Sequence, residues 1–339
     1  MLFPFNSLMS IVTSISCAYL YLSSLERFLY VSYLLNSKRV KEIMANEWNI
    51  IGVGSGWGAQ DMGTARGPEV LMNNCPTIFR SIPSFMSYWH DTPLSFSNPL
   101  PLSNSQMQIY LNHLLKILTW LSNSTENVSL KKNIPLIFGG DHSIAIGTWK
   151  GIKAAFPNED IGLIWIDAHM DAHTPNTSPS LNFHGMPLAV LLGYGDPSLT
   201  NLKFIGPAIK AKHTFLIGTR SYEEDEALLL KYLGVKIYHI KEVKSRGFHT
   251  VFNEALSLLS DQKFGISIDV DGFDPQEAPG TGMPVSYGLK IKEVITSLHG
   301  IFNNPSFIGL EIVEYNPYKD RNSVTCQLIW ELVNLINGR

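Results

Sequence analysis

Three short stretches of this 339-residue chain concentrate side chains that bind metals or move protons. Gly139-Gly140-Asp141-His142 ends an apolar run at Ile134–Phe138. Asp167-Ala168-His169-Met170-Asp171-Ala172-His173 follows Ile161–Ile166, and Asp269-Val270-Asp271, with Asp274 close behind, ends Gly265–Ile268. Along extended backbone, residues i and i+2 point the same way, so Asp269 can act with Asp271, and Asp167 with His169 and Asp171. Joined by His142, they form a carboxylate and imidazole set without cysteine, which suits manganese better than zinc. Six such ligands are too many for one ion once carboxylates bridge, so a pair of ions ~3.5–4 Å apart is the natural arrangement. Each stretch alone has a plainer use: a DxD pair caps a turn, GGDH opens a helix, a buried His merely hydrogen-bonds. Gathered at one place, the carboxylates would repel one another and lose solvation, a cost that cations relieve.

What must gather them is a sheet. From Trp48 onward short apolar runs alternate with helical segments, the signature of an α/β fold in three αβα layers around a mainly parallel sheet. The expected strands are Asn49–Val53, Ile134–Phe138, Ile161–Ile166, His213–Ile217, Lys236–His239, Gly265–Ile268 and Phe307–Ile312. Apolar periodicity predicts helices over Gln106–Leu121, Phe248–Leu259, Ile291–Ile301 and Thr325–Ile336. The carboxyl ends of parallel strands share one edge of an open sheet, where ligands bind, so all three stretches should open on one pocket. Gly54-Ser55-Gly56-Trp57-Gly58-Ala59 superficially resembles a dinucleotide loop. Gly63, Gly67 and Pro68 deny it a prompt helix, and no acidic residue follows at the ribose-binding distance, so a flexible glycine loop at the sheet rim is expected. Pro83–Ser105, rich in Pro and Ser, reads as a surface connection.

A hydrophobic share of 45% and a charged share of 16% describe a folded chain with ample core. The net charge of −3 offers no basic field for a phosphate backbone, which excludes nucleic acid as the expected partner. Cys17, Cys75 and Cys326 are scattered and odd in number, fitting neither a disulfide framework nor a thiolate metal site, and point to a reducing, cytoplasmic setting. Leu2–Leu25 carries no charge and is long enough to span a bilayer, yet no Lys or Arg precedes it and Ser residues dilute it. Residues 1–43 are therefore read as an apolar extension outside the core, and 44–339 as the catalytic domain. A membrane is an expected partner only if that extension is a genuine anchor.

The GGDHS and DAHMDAH segments, Asn182-Phe183-His184-Gly185-Met186-Pro187, SIDVDGFDP at Ser267–Pro275, Ala278–Pro284 and Glu311–Pro317 follow one another in a telling order. Together they resemble the ureohydrolases, the family of arginase, agmatinase and their relatives, from about Asn49 to the C-terminus. The resemblance implies an arginase-like fold, two Mn2+ per subunit and assembly into trimers or hexamers. By the same likeness, His142, Asp167, Asp171 and Asp269 hold one ion and Asp167, His169, Asp269 and Asp271 the other, with Asp167 and Asp269 bridging. Glu314 matches the carboxylate that holds a guanidinium, His184 the proton shuttle at the cleft mouth, and Asp171 a metal ligand that also handles a proton. The implied reaction is hydrolysis of a small cationic guanidino substrate, L-arginine, to L-ornithine and urea by a metal-bridging hydroxide. Ser180 and Glu223 fall where arginases contact the amino-acid end of the substrate. His173 stands where most arginases carry Asn, Met283 where most carry Thr, and Glu223 is one methylene longer than the usual Asp. Agmatine, guanidinobutyrate and formiminoglutamate therefore stay open as substrates, with a single-zinc deacetylase-like hydrolase and a guanidino-binding scaffold as more distant alternatives.

Overall fold

Eight strands pair side by side, all in parallel: β1 Trp48–Gly54, β2 Met86–Trp89, β3 Ile134–Gly139, β4 Ile161–Ile166, β5 Thr214–Thr219, β6 Lys236–His239, β7 Lys263–Asp269 and β8 Phe307–Val313. The computed structural model describes residues 47–59, 61–74, 86–89 and 104–337, so the expected extension at 1–43 lies outside the described residues. The order across the sheet is β2-β1-β3-β8-β7-β4-β5-β6. After β3 the chain therefore skips two places to β4, continues outward through β5 and β6, and then turns back, so that the two last strands fill the gap between β3 and β4. Such a switch point leaves a crevice beyond the strand ends.

The helices are α1 Gly67–Asn73, α2 Asn104–Leu130, α3 Ala145–Ala155, α4 Pro187–Leu191, α5 Pro197–Thr200, α6 Glu224–Leu233, α7 Ile240–Arg246, α8 Phe248–Leu258, α9 Ile291–Leu298 and α10 Val324–Asn334. β3, β4, β5 and β8 are buried at every position, which is why they read as near-continuous apolar runs with no polar face. Alternate side chains serve the two layers. Ile164 and Ile166 of β4 join a core with Val251 of α8, Val294 of α9 and Leu332 of α10. Leu163 and Trp165 join Trp149 of α3, Leu188 of α4 and Leu230 of α6 on the other face, and Leu114, Leu118 and Leu121 of α2 cover Ile51, Val53 and Ile137.

All seven expected strands are present, and the three-layer αβα architecture holds. The eighth, β2, lies inside Pro83–Ser105, which was expected to be surface connection; it is four residues long and is defined by its ladder with β1. Short edge strands leave little pattern to read. Helix α2 runs to Leu130, past the expected end at Leu121. Its polar continuation stays helical because it packs on α3: Ser122, Thr125, Val128 and Ser129 are buried, Thr125 Oγ1 reaches Thr148 O of α3 at 3.3 Å, and the Ser122 and Thr125 hydroxyls are satisfied at Thr119 O and Leu121 O, at 3.0 and 3.1 Å.

The loop after β1 is buried from Ser55 to Ala59, not a flexible rim. Asp141 N–H donates to Ser55 O at 2.8 Å, and Glu314 N–H donates to Gly140 O at 2.7 Å, so the ends of β1, β3 and β8 are stitched together at Gly140. A Cβ on Gly140 would stand 1.8 Å from Ser55 O, a backbone atom that cannot turn aside. Gly140→Ala is accordingly expected to lower stability by at least ~2 kcal/mol. A urea-denaturation midpoint unchanged from wild type would contradict this close approach.

Candidate metal centre

The four central strands β3, β8, β7 and β4 deliver their carboxyl ends to one crevice, and His142, Glu314, Asp269 and Asp167 enter it from adjacent strands. Ligand atoms of His142, Asp167, Asp171 and Asp269 lie within 4.8 Å of one another, and so do those of Asp167, His169 and Asp271. His142 Nδ1 stands 3.0 Å from Asp171 Oδ2, 3.0 Å from Asp269 Oδ2 and 3.2 Å from Asp167 Oδ2. It is buried and aligned for a hydrogen bond with none of them, so its lone-pair direction falls in the space between the three carboxylates. His169 Nδ1 is 3.2 Å from Asp271 Oδ2 and 3.5 Å from Asp167 Oδ1. Asp167 belongs to both groups; Asp269, also expected to bridge, belongs to the first alone. One of its oxygens is committed elsewhere, since Asp269 Oδ1 accepts the Asp271 N–H at 2.9 Å.

Convergence does not come from strand alternation, because the chain has left the strands. Asp167 Oδ1 accepts the His169 N–H at 2.7 Å, just as Asp269 Oδ1 accepts from Asp271. Each carboxylate thus closes a tight turn on its own backbone and brings the residue two places on beside it. Asp171 and Glu314 carry positive φ, 50° and 63°. Non-glycine residues in that region cost of order 1–3 kcal/mol and persist where surrounding contacts impose them. For Glu314 the imposing contact is its 2.7 Å hydrogen bond to Gly140 O.

Behind the groups stands a set of polar contacts that the sequence reading missed. His142 Nε2 meets Ser267 Oγ at 2.9 Å, Ser267 Oγ donates to Glu311 Oε2 at 2.7 Å, and Trp149 Nε1 donates to the same oxygen at 3.2 Å. Trp165 stacks on the His142 ring at 4.0 Å and donates its Nε1–H to Asp167 Oδ2 at 2.8 Å. Asp141, fully buried, accepts from the Gly58 and Ser143 N–H groups, each at 3.0 Å, and so carries the turn that presents His142. One acidic residue inside the apolar run Phe307–Val313, namely Glu311, was the available signal. Ser267 lies two residues before Asp269 on the same strand face.

Crowding sets the electrostatics. Burial pushes Asp171 up to about 7, with the Asp167 charge adding to it. Burial, then Asp271 and Asp167, drives Asp269 well above the usual carboxylate range, and burial raises Asp271. Asp167 goes the other way: burial opposes ionisation, but His142 and His169 hold it far below its ordinary value. Burial would lower the two imidazoles, yet the carboxylates around them raise both. A metal-free cluster therefore holds protons where divalent cations would fit: oxygen and nitrogen donors, two groups sharing Asp167, and a buried Nδ1 aimed between them.

The crevice opens as a cavity of about 470 Å³, its mouth included, lined among others by His142, His169, Asp171, His184, Met283 and Glu314. Glu314 Oε1 accepts from the His142 N–H at 2.9 Å and pairs with His184 Nδ1 at 3.1 Å, while Oε2 is buried without a hydrogen-bond partner. Burial would lower the His184 pKa, but Glu314 lifts it to about 9. At the far side His173 Nε2 lies 3.0 Å from Glu223 Oε2 and 3.4 Å from Glu226 Oε2, and its Nδ1 meets Thr177 Oγ1 at 3.1 Å. Glu226 was not foreseen. It is buried, accepts the Ala172 N–H at 2.9 Å, and completes with Glu223 a reciprocal cap on α6 that the spacing E-x-x-E could have revealed. One expected participant, Ser180, stands apart. Ser180 accepts from the Asn182 N–H in a turn at 3.2 Å and does not line the cavity. Asp274 accepts from the Gln276 N–H at 3.1 Å and belongs to neither ligand group.

Comparison with known proteins fits this geometry. The family model of the Arginase family matches residues 46–336. The chain is 40% identical to an arginase of Bacillus caldovelox over 220 residues, 64% of this chain and 73% of that one. It is 33% identical to an arginase of Brevibacillus brevis over 297 residues, 87% of this chain and 99% of the relative. The native crystal structure of the Bacillus caldovelox arginase superposes with a TM-score of 0.77 at 33% identity, covering 87% of this chain and 99% of the other. On the strength of the near full-length match, the chain belongs to the arginase family of ureohydrolases.

Proposed function

We propose that the chain hydrolyses the guanidino group of L-arginine to L-ornithine and urea, using two Mn2+ held by His142, Asp167, His169, Asp171, Asp269 and Asp271. One observation carries the reading above the others: the unpartnered Glu314 Oε2 shares a cavity with both ligand groups. A guanidinium is the planar cation whose two parallel N–H groups match such a carboxylate. When bound, the ion pair would lower the pKa of a water enough to supply hydroxide near neutral pH. The residues of the chain then have separate tasks. Glu314 fixes the plane of the guanidinium so that attack starts from a positioned complex. Asp171, which lines the cavity, takes the proton left on the attacking oxygen and passes it to the leaving amine nitrogen. His184, partly open to solvent, exchanges protons between the cavity and bulk water.

His173, Glu223 and Glu226 border the other side of the same cavity, and the two carboxylates there are the chemistry an α-ammonium group needs. Arginine and its decarboxylated analogue share that ammonium group, so the choice of arginine rests on the likeness to arginases. Scattered cysteines support a reducing, cytoplasmic setting, and the family supports assembly into a homo-oligomer. Among the described residues no helix is long and apolar enough to cross a membrane.

Steady-state urea release from manganese-loaded protein should be efficient with arginine and poor with agmatine; the opposite preference would overturn the substrate assignment. Glu314→Gln keeps the shape and removes the charge, and kcat/KM should fall by at least about 100-fold, the scale of an uncompensated buried charge pair; a fall under tenfold would remove Glu314 from guanidinium binding. Manganese affinity should rise with pH. His142, His169, Asp269 and Asp271 are all raised, and Asp171 titrates at about 7, so protons must leave before cations enter. Calorimetry in buffers of different ionisation enthalpy should register proton release, and affinity should drop from pH 8 to pH 6. Binding without proton release, at constant affinity, would contradict this cluster as the site.

A further inference from the structure

Arg220, half-buried just beyond β5, hydrogen-bonds to no ligand side chain, yet it is bonded to the backbone of both turns that carry the second group. Its N–H donates to Ala168 O at 2.8 Å, between Asp167 and His169. Its side chain reaches the other turn, where Nη2 donates to Asp271 O at 2.7 Å and Phe273 O at 3.3 Å, and Nη1 to Gly272 O at 3.2 Å. The remaining bonds go to Gly218 O at 3.2 Å, Val285 O at 2.8 Å and Ser286 O at 3.2 Å. The N–H donors of one guanidinium are thus committed to backbone oxygens, a geometry that only its rigid planar fork provides.

Spanned in this way are Asp167, His169 and Asp271, the second ligand group, and no backbone segment bearing His142 or Asp171. Ala168 N–H also approaches Asp271 Oδ1 at 3.3 Å, so the two turns are already close and Arg220 sets their separation. Relative displacement of the turns would open the gap between Asp271 Oδ2 and His169 Nδ1, now 3.2 Å. Asp167 stays tied to Trp165 Nε1 at 2.8 Å and Asp269 to the end of β7, so the group around His142, which takes His142 from β3 and Asp171 from the loop after β4, stays largely where it is.

Building on the two-metal reading above, we propose that Arg220 is a positioning residue for the second metal position: it sets the distance between the Asp167–His169 and Asp271–Phe273 turns and thereby the affinity of that position alone. Support for metal ligands from groups that touch no metal is worth roughly 10–100-fold in affinity. A residue with a general structural role would weaken both ions in parallel, or neither.

Manganese binding by equilibrium dialysis with elemental analysis tests this on wild type, Arg220→Ala and Arg220→Lys, with circular dichroism to verify folding. Wild type should hold two ions per chain. Arg220→Ala should keep one at wild-type affinity and bind the other at least about tenfold more weakly, with Arg220→Lys in between because a single ammonium reaches fewer of the carbonyls. Should Arg220→Ala fail to fold, Arg220→Lys decides by the same inequality between the two ions. Equal weakening of both, or no weakening of either, overturns the assignment while leaving the two-metal reading intact. A wild-type chain that binds no ion pair overturns that reading, and this inference with it.

Discussion

Carboxylates that cannot all be ionised together dominate this molecule. Asp167, Asp171, Asp269 and Asp271 are buried beside one another at the carboxyl ends of β4 and β7, and burial, joined by the charge of neighbouring carboxylates, drives three of them upward in pKa. Two histidines relieve the repulsion in part, at the cost of holding protons that would otherwise leave them near neutral pH. Divalent cations relieve it more fully, because they bring more charge per site and accept the very lone pairs that now face one another. Metal binding and the integrity of the crevice are therefore one problem.

The rest of the fold can be understood as the support this concentration demands. Inserting β8 and β7 between β3 and β4 puts three ligand-bearing strand ends and the Glu314-bearing end of β8 side by side. Asp167 and Asp269 then each close a turn on their own backbone, while Ser267, Glu311 and Trp165 fix the His142 ring from behind and from its face. Positive φ at Asp171 and Glu314 shows where the backbone gives way to place a carboxylate. At Glu314, the bond to Gly140 O imposes that conformation and ties the pocket back to the sheet.

Much of this was legible in the sequence, for physical reasons that also mark where legibility stops. The strands were readable because burial on both faces leaves only apolar residues, and the DAHMDAH and DVD stretches because charges are rare in such company. The edge strand Met86–Trp89 was lost, since its ladder with β1 leaves little mark on a four-residue sequence. Helix α2 outran its apolar period because small polar residues, Ser122, Thr125 and Ser129, are buried there against α3. Among site residues, His142 and the aspartates could be placed together by the rule that parallel strands end at one edge. Arg220 and Glu226 could not, as their roles depend on which distant carbonyl or amide lies within reach. Ser180 read as a substrate contact and turned out to cap a turn.

Anomalous diffraction at the manganese absorption edge, from crystals of the manganese-loaded chain, tests the central claim most directly. The account predicts two peaks ~3.5–4 Å apart, one among His142, Asp167, Asp171 and Asp269 and one among Asp167, His169 and Asp271. A single peak, or ions bound away from these side chains, would contradict it.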